Sequence, residues 1–203
     1  MRMCLPTGAT PRSVYSLIAR SGDFSRSTVF LLDEFGLPPG DPGRCDEMLR
    51  RDLLALLPAP PATVERLNPQ SEDLDQECGR YEMLLAHGGL DLTLLGLGGN
   101  GHLGLNEPGS DAHSPTRVVA LSESTADSID EYGATAETDW GMTVGMARLL
   151  ASREIWLLVS GRHKAEVLAG TLNDAVGPDL PATYLREAAN VVVWADESAA
   201  SLL

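Results

Sequence analysis

The sequence has no run of 18 apolar residues and no secretory leader pattern at its start. No membrane span or membrane partner is therefore expected, and a cytoplasmic location is the default. Cysteine is scarce: Cys4, Cys45 and Cys78 stand far apart, odd in number and in no metal-ligand spacing. A disulfide framework and a metal site are not expected, and each cysteine reads as a small buried apolar residue. Positive charge is short as well: Lys+Arg 15 against Asp+Glu 29 gives a formal net charge of −14. Such a balance argues against nucleic acid and anionic membrane as partners. Internal repeats and low-complexity linkers are missing too, and 203 residues suit one α/β domain spanning 1–203.

What the chain does have is an alternation of strand-like and helix-like stretches. Apolar runs at 27–32, 91–97, 117–121, 154–159 and 190–194 read as strands. Between them, 44–56, 71–86 and 163–172 carry apolar residues at helical spacing, with Ser71 placed to cap its helix and Gly88-Gly89 to end it. The pattern predicts an α/β fold: a mostly parallel sheet with helices on both faces, Rossmann-like. The stretch 122–139 is acidic and weakly periodic, leaving a lid or a solvated surface helix open.

The most informative segment is LGLGGNGHLGLNEP, residues 95–108, just past the strand over 91–97. Glycines let the backbone bend tightly there, and Asn100, His102, Asn106 and Glu107 sit within the bend. A histidine titrates near neutrality, and a carboxylate beside it can orient it, so acid–base chemistry is one reading. A Gly-rich turn with an incidental histidine is the other. Gly96, Gly98 and Gly101 also match G-x-G-x-x-G, but that motif needs a helix starting at its last glycine. The following Asn106-Glu107-Pro108-Gly109 would break a helix within two turns.

Three further candidates fall at predicted strand tips, where open α/β sheets bind ligands. Thr7-Gly8-Ala9-Thr10-Pro11 opens a helix, whose free amides and dipole suit an anion. Asp33-Glu34 follows Leu31-Leu32, and Ser160-Gly161 leads to Arg162, His163 and Lys164. Each alone has an ordinary explanation: a capped helix start, a turn, a surface lysine. Their joint occurrence at four strand tips argues for a site.

TGATP, LLDE, LGLGGNGHLGLNEPG and LLVSGRHKA, in this order, resemble the glucosamine-6-phosphate deaminase family, within the sugar-phosphate isomerase and 6-phosphogluconolactonase group. The resemblance covers nearly the whole chain. LPTGATP, GGLDLTLLGLG and DLPATYL resemble the branch called galactosamine-6-phosphate deaminase/isomerase. It implies a sugar-phosphate isomerase type of sheet and a sugar-phosphate partner, without metal or redox cofactor; homo-oligomerisation stays open. The implied reaction opens a 2-amino-2-deoxyhexose 6-phosphate, isomerises it and releases ammonia, leaving a ketohexose 6-phosphate. On that resemblance Asp33 is the base moving the C2 proton to C1, and His102 the ring-opening acid/base. Glu107 and Asn100 would hold and polarise His102. Thr7, Gly8, Ala9 and Thr10 would bind phosphate, with Lys164 as the point charge.

Three departures accompany the resemblance. Family members carry a further strand and helix ahead of the phosphate loop, so the chain is expected to be N-terminally truncated relative to them. The family's lid arginine falls at Glu131, whose carboxylate would repel a phosphate. The acidic overall charge opposes an anionic substrate, so local donors must outweigh it. Two other functions compete: a non-catalytic sugar-phosphate sensor and a 6-phosphogluconolactonase-type hydrolase. The set Asp33, His102 and Glu107 and the absence of a helix-turn-helix segment favour an enzyme over the sensor, which Glu131 and the missing N-terminal elements favour; NEPG after the histidine counts against the lactonase.

Overall fold

The computed structural model describes residues 1–203. In chain order the elements are β1 (Arg2–Leu5), α1 (Ala9–Ser21), β2 (Thr28–Leu31), β3 (Asp33–Phe35), α2 (Cys45–Asp52), β4 (Thr63–Glu65), α3 (Leu74–Ala86) and β5 (Leu92–Gly96). They continue with β6 (Arg117–Ala120), α4 (Glu123–Ser128), β7 (Trp140–Thr143), α5 (Met146–Leu150), β8 (Ile155–Val159), α6 (Ala165–Asn173) and β9 (Val191–Ala195). Short 3-10 turns follow α2 and α4, precede α6, and cover Pro181–Glu187.

Six strands form one sheet in the order β4-β2-β1-β5-β8-β9, every neighbouring pair parallel. Side chains alternate across it, so each strand feeds two cores. On one face Phe30, Leu95, Ile155 and Leu157 pack with Tyr81 and Leu85 of α3 and Leu168 of α6. On the other, Met3, Leu5, Val29, Leu31, Leu92 and Leu94 pack with Tyr15 of α1 and Met48 and Leu49 of α2. The expected helix-covered parallel sheet is thus present. The chain runs outward in one direction from β1 to β2 and β4, and in the other from β5 to β8 and β9. The order therefore reverses between β1 and β5, the place where such sheets leave a crevice for a ligand.

A second sheet was not anticipated. β3, β7 and β6 form an antiparallel ladder in the order β3-β7-β6, so residues 117–121 do not join the parallel sheet. The chain passes from one sheet to the other at Leu32, whose N–H donates to Leu5 of the first and whose carbonyl accepts from Val144 near the second. Asp33 is the next residue. Another correction concerns α3: its N-cap is Asp73, whose side chain accepts from the Gln76 N–H at 2.9 Å, and Ser71 sits too early. The Ser71 hydroxyl instead donates to the Asp73 carbonyl. Gly88 and Gly89 follow the helix with φ of 89° and 68°, as the stop signal requires.

Candidate active site

Four chain segments and the turn after β8 meet at the carboxyl ends of the parallel strands around a cleft of about 880 Å³. The first follows β1. Gly8 precedes α1 with φ 101°, and no side chain caps the helix. The amides of Ala9 and Thr10 are thus left to face the cleft, which Thr7, Gly8, Ala9, Thr10 and Pro11 all line. With the helix dipole behind them, such amides have the character that suits an anion. Lys164, in the turn after β8, borders the same cleft and joins no ion pair of the chain. Burial lowers its pKa. A half-buried ammonium without a carboxylate is a suitable partner for a ligand anion.

Asp33 enters from the sheet switch. It is 7% exposed. Burial pushes its carboxyl up to about 6, held back by the Cys45 thiol and the field of His102. Glu34 next to it is fully buried and pins the start of α2: its oxygens accept from the N–H groups of Phe35, Cys45 and Asp46 and from the Arg44 guanidinium. That clamp sets the Cys45 side chain beside Asp33. All three cysteines are buried and unpaired, as their sequence context suggested, but Cys45 also borders the cleft.

The third segment is the glycine-rich loop after β5. It turns back on itself through Gly98 N–H to the His102 carbonyl, 3.0 Å, and Gly101 N–H to the Gly98 carbonyl, 3.1 Å. No helix starts at Gly101, which removes the dinucleotide reading. A Cβ at Gly98 would lie 2.4–2.5 Å from atoms of the His102 ring, so only glycine admits the imidazole there. Gly98→Ala is expected to displace the ring without unfolding the chain. At least a tenfold loss of activity with an unchanged circular-dichroism spectrum would confirm it; full activity would show that the ring has other room. Gly104, at φ 62°, leaves space for the Asp33 carboxylate, whose Oδ2 would be 3.2 Å from a Cβ.

His102 Nδ1 lies 3.5 Å from Glu107 Oε2 and is buried with no other partner. Such contacts often tighten only when substrate binds. Glu107 also accepts from Asn100 Nδ2 at 2.7 Å and from the Thr125 hydroxyl. Burial raises its pKa, but His102, Thr125 and Asn100 together bring it down to about 2, so it is a carboxylate at neutral pH. Asn100 makes no hydrogen bond to the imidazole itself and bears on it through Glu107. Its Oδ1 accepts from the His102 backbone N–H at 3.1 Å, so it braces the loop and Glu107 instead. Asn106 faces away from the cleft; fully buried, it donates to the Leu103 and Val144 carbonyls and anchors the loop.

The fourth segment is 122–139, which lies over the cleft through Ser124, Thr125, Ser128, Glu131 and Tyr132. The segment is thus not a purely solvated surface helix: it forms one wall of the cleft. Thr125, Cys45 and Tyr132 were not singled out from sequence. Thr125 sits in a weakly periodic stretch, and Cys45 lies 12 positions from Asp33 in an ordinary amphipathic helix.

A doubly wound sheet with an uncapped helix start, a buried carboxyl and a His–Glu pair at its switch point defines an α/β protein that handles a small anionic ligand. The chain belongs to the family described as glucosamine-6-phosphate isomerases/6-phosphogluconolactonase, whose model matches residues 1–194. A glucosamine-6-phosphate deaminase of Shouchella clausii is 38% identical over 98% of this chain and 84% of its own length. One of Rhodopirellula baltica is 37% identical over 98% and 83%. The solved structure of a monomeric glucosamine-6-phosphate deaminase superposes with a TM-score of 0.92 at 34% identity, covering 100% of this chain and 88% of that one. A 6-phosphogluconolactonase from Trypanosoma brucei shares the fold, with a TM-score of 0.78 at 24% identity over 100% of this chain and 86% of that one. No helix is long and apolar enough to cross a membrane.

Proposed function

We propose that the chain converts a 2-amino-2-deoxyhexose 6-phosphate and water to a ketohexose 6-phosphate and ammonia. The observation that supports this most is Asp33, a buried carboxyl raised to about 6 in one cleft with His102, whose imidazole has Glu107 behind it. A group that must first take a proton and then return it works best when neither state is strongly preferred near the working pH.

His102 relays the proton between the anomeric hydroxyl and the ring oxygen, opening the sugar. Glu107, held ionised, orients the imidazole and stabilises its cationic form. Asp33 then breaks the C2–H bond and returns that proton to C1 while the 2-ammonium group gives a proton to O1, making a new C–H bond and leaving a C1 hydroxyl and an iminium at C2. Water adds at C2, the C–N bond breaks, and ammonia leaves. The Ala9 and Thr10 amides, the Thr7 and Thr10 hydroxyls and Lys164 hold the phosphate, against the acidic charge of the chain as a whole.

The test is ammonia release from glucosamine 6-phosphate and galactosamine 6-phosphate, assayed separately, with the ketohexose 6-phosphate measured alongside. Release from either supports the reaction; none from either overturns it. Lys164→Met is expected to raise KM for the phosphorylated sugar at least tenfold and to leave the weak turnover of the unphosphorylated amino sugar as it was, since an ion-assisted hydrogen bond contributes about 1.5–3 kcal/mol. Equal KM for both proteins on the phosphorylated sugar would move the phosphate elsewhere.

A further inference from the structure

The phosphate end of the cleft has a wall that the mechanism above leaves unused. The turn after α4 ends at Tyr132, whose ring stacks on Phe35 with centroids 6.4 Å apart and planes inclined by 23°. Phe35 is itself fixed, its N–H bound to Glu34 at 2.9 Å. The stack aims the phenol at the start of α1: a Cβ built on Gly8 would lie 3.6 Å from the Tyr132 hydroxyl, with two ring carbons at 3.8 and 3.9 Å. Gly8 directly precedes the two free amides. The hydroxyl thus lies beside the start of α1, in the same cleft that the two amides line.

The neighbouring Glu131 also borders this end and is exposed. A carboxylate accepts hydrogen bonds and repels a phosphate; it cannot supply the donor that this side of the cleft needs. A phenol can. Burial and the nearby Cys45 and Asp33 raise the Tyr132 pKa, which keeps its proton in place at neutral pH.

We propose that Tyr132 is a specificity-determining residue whose hydroxyl donates to a phosphate oxygen of the substrate, completing from above the cradle that the α1 amides and Lys164 form from below. This rests on the proposed reaction for the identity of the phosphoester. The anion contact itself can be tested without turnover. A neutral donor implies a signature distinct from a cation: its contribution persists as salt is raised, whereas that of Lys164 is screened.

Tyr132→Phe keeps the ring on Phe35 and removes only the donor. Two quantities are read: KM and kcat for the amino-sugar phosphate, and the Kd of inorganic phosphate followed by 31P NMR. The expected result is a rise of about tenfold in both KM and phosphate Kd, a much smaller change in kcat, and the same factors at low and high salt. A hydrogen bond to a charged group contributes about 1.5–3 kcal/mol, so tenfold is the lower end of its range. Thermal unfolding should match the parent, because the stack is retained. Unchanged KM and phosphate Kd overturn the proposal and make Tyr132 a packing residue. So does a fall in kcat with phosphate binding intact, which would put the hydroxyl at the reacting carbons. If neither amino-sugar phosphate releases ammonia yet Tyr132→Phe weakens phosphate binding, the reaction fails and the Tyr132 assignment stands. A parent protein that binds no inorganic phosphate overturns the assignment itself.

Discussion

Asp33→Asn is expected to lower turnover by about 10²-fold or more and, at the same time, to make the protein more stable at pH 8. The first effect is the usual scale for a lost acid–base group. The second follows from where the carboxyl sits. Its pKa is about 6 in the folded chain, against about 3.9 for an unfolded aspartate. Below pH about 4 both states hold the proton, and the carboxyl costs the fold nothing. Between pH about 4 and 6 the unfolded chain ionises while burial keeps the folded carboxyl protonated, so stability falls across that window and levels off above it. Two pKa units correspond to about 3 kcal/mol, an upper figure for what the amide recovers. Urea unfolding of both proteins at pH 4 and pH 8 reads it directly: the variant should match its parent at the lower pH and exceed it at the higher. In the parent, kcat/KM should decline below pH about 6 as Asp33 takes up a proton. Turnover within a few-fold of the parent would remove Asp33 from the chemistry, and equal stability at both pH values would mean that its charge is not buried.

His102→Gln separates ring opening from proton transfer between carbons. The imidazole is the one proton carrier of the glycine-rich loop, and Glu107 beside it is locked as a carboxylate by Asn100 and Thr125. Glutamine fills similar space and can donate to Glu107, but cannot relay a proton. Loss of a general acid–base group again predicts about 10²-fold or more, here on the cyclic amino-sugar phosphate. An analogue lacking the hydroxyl that closes the ring needs no opening, and its turnover should change by only a few-fold. Comparable losses on both substrates would show that His102 supports the loop or a later step.

Much of this site was legible in the sequence because its parts adjoin apolar runs. Asp33, Lys164 and the loop carrying His102 and Glu107 follow strands that their Val, Leu and Phe content reveals, the Thr7–Thr10 loop shows itself by the Pro11 that opens its helix, and all four segments border one cleft. The second sheet was not legible. β3 has three residues, two of them acidic, and such residues seldom occupy strands. They do so here because Glu34 finds three donors at the α2 start, a non-local arrangement with no local signature, besides the N–H of Phe35. Thr125 reaches Glu107 across 18 positions, and Tyr132 reaches Gly8 from a segment with no clear period. Asn100 was visible as a residue but not in its contacts. An amide has both a donor and an acceptor, and only the fold shows that it spends them on Glu107 and the His102 backbone.

Ala120 and Trp140 are register partners at the end of the β6–β7 ladder. The intervening segment therefore leaves and re-enters the framework at a single point, and its two ends are already held together by the sheet. Because closure is supplied by the ladder, length changes in such a segment carry only a small entropic cost. Residues 121–139 are in effect a detachable cassette. Asp33, His102 and the α1 start lie outside it; its side chains tie it to the body through Thr125 to Glu107, Thr135 to Asp41, the Tyr132 stack on Phe35 and the burial of Ile129 in the core. Exchange of this cassette, with those two threonines kept, is a route by which descendants of one scaffold can change the phosphorylated sugar they admit while the proton-transfer apparatus is inherited intact.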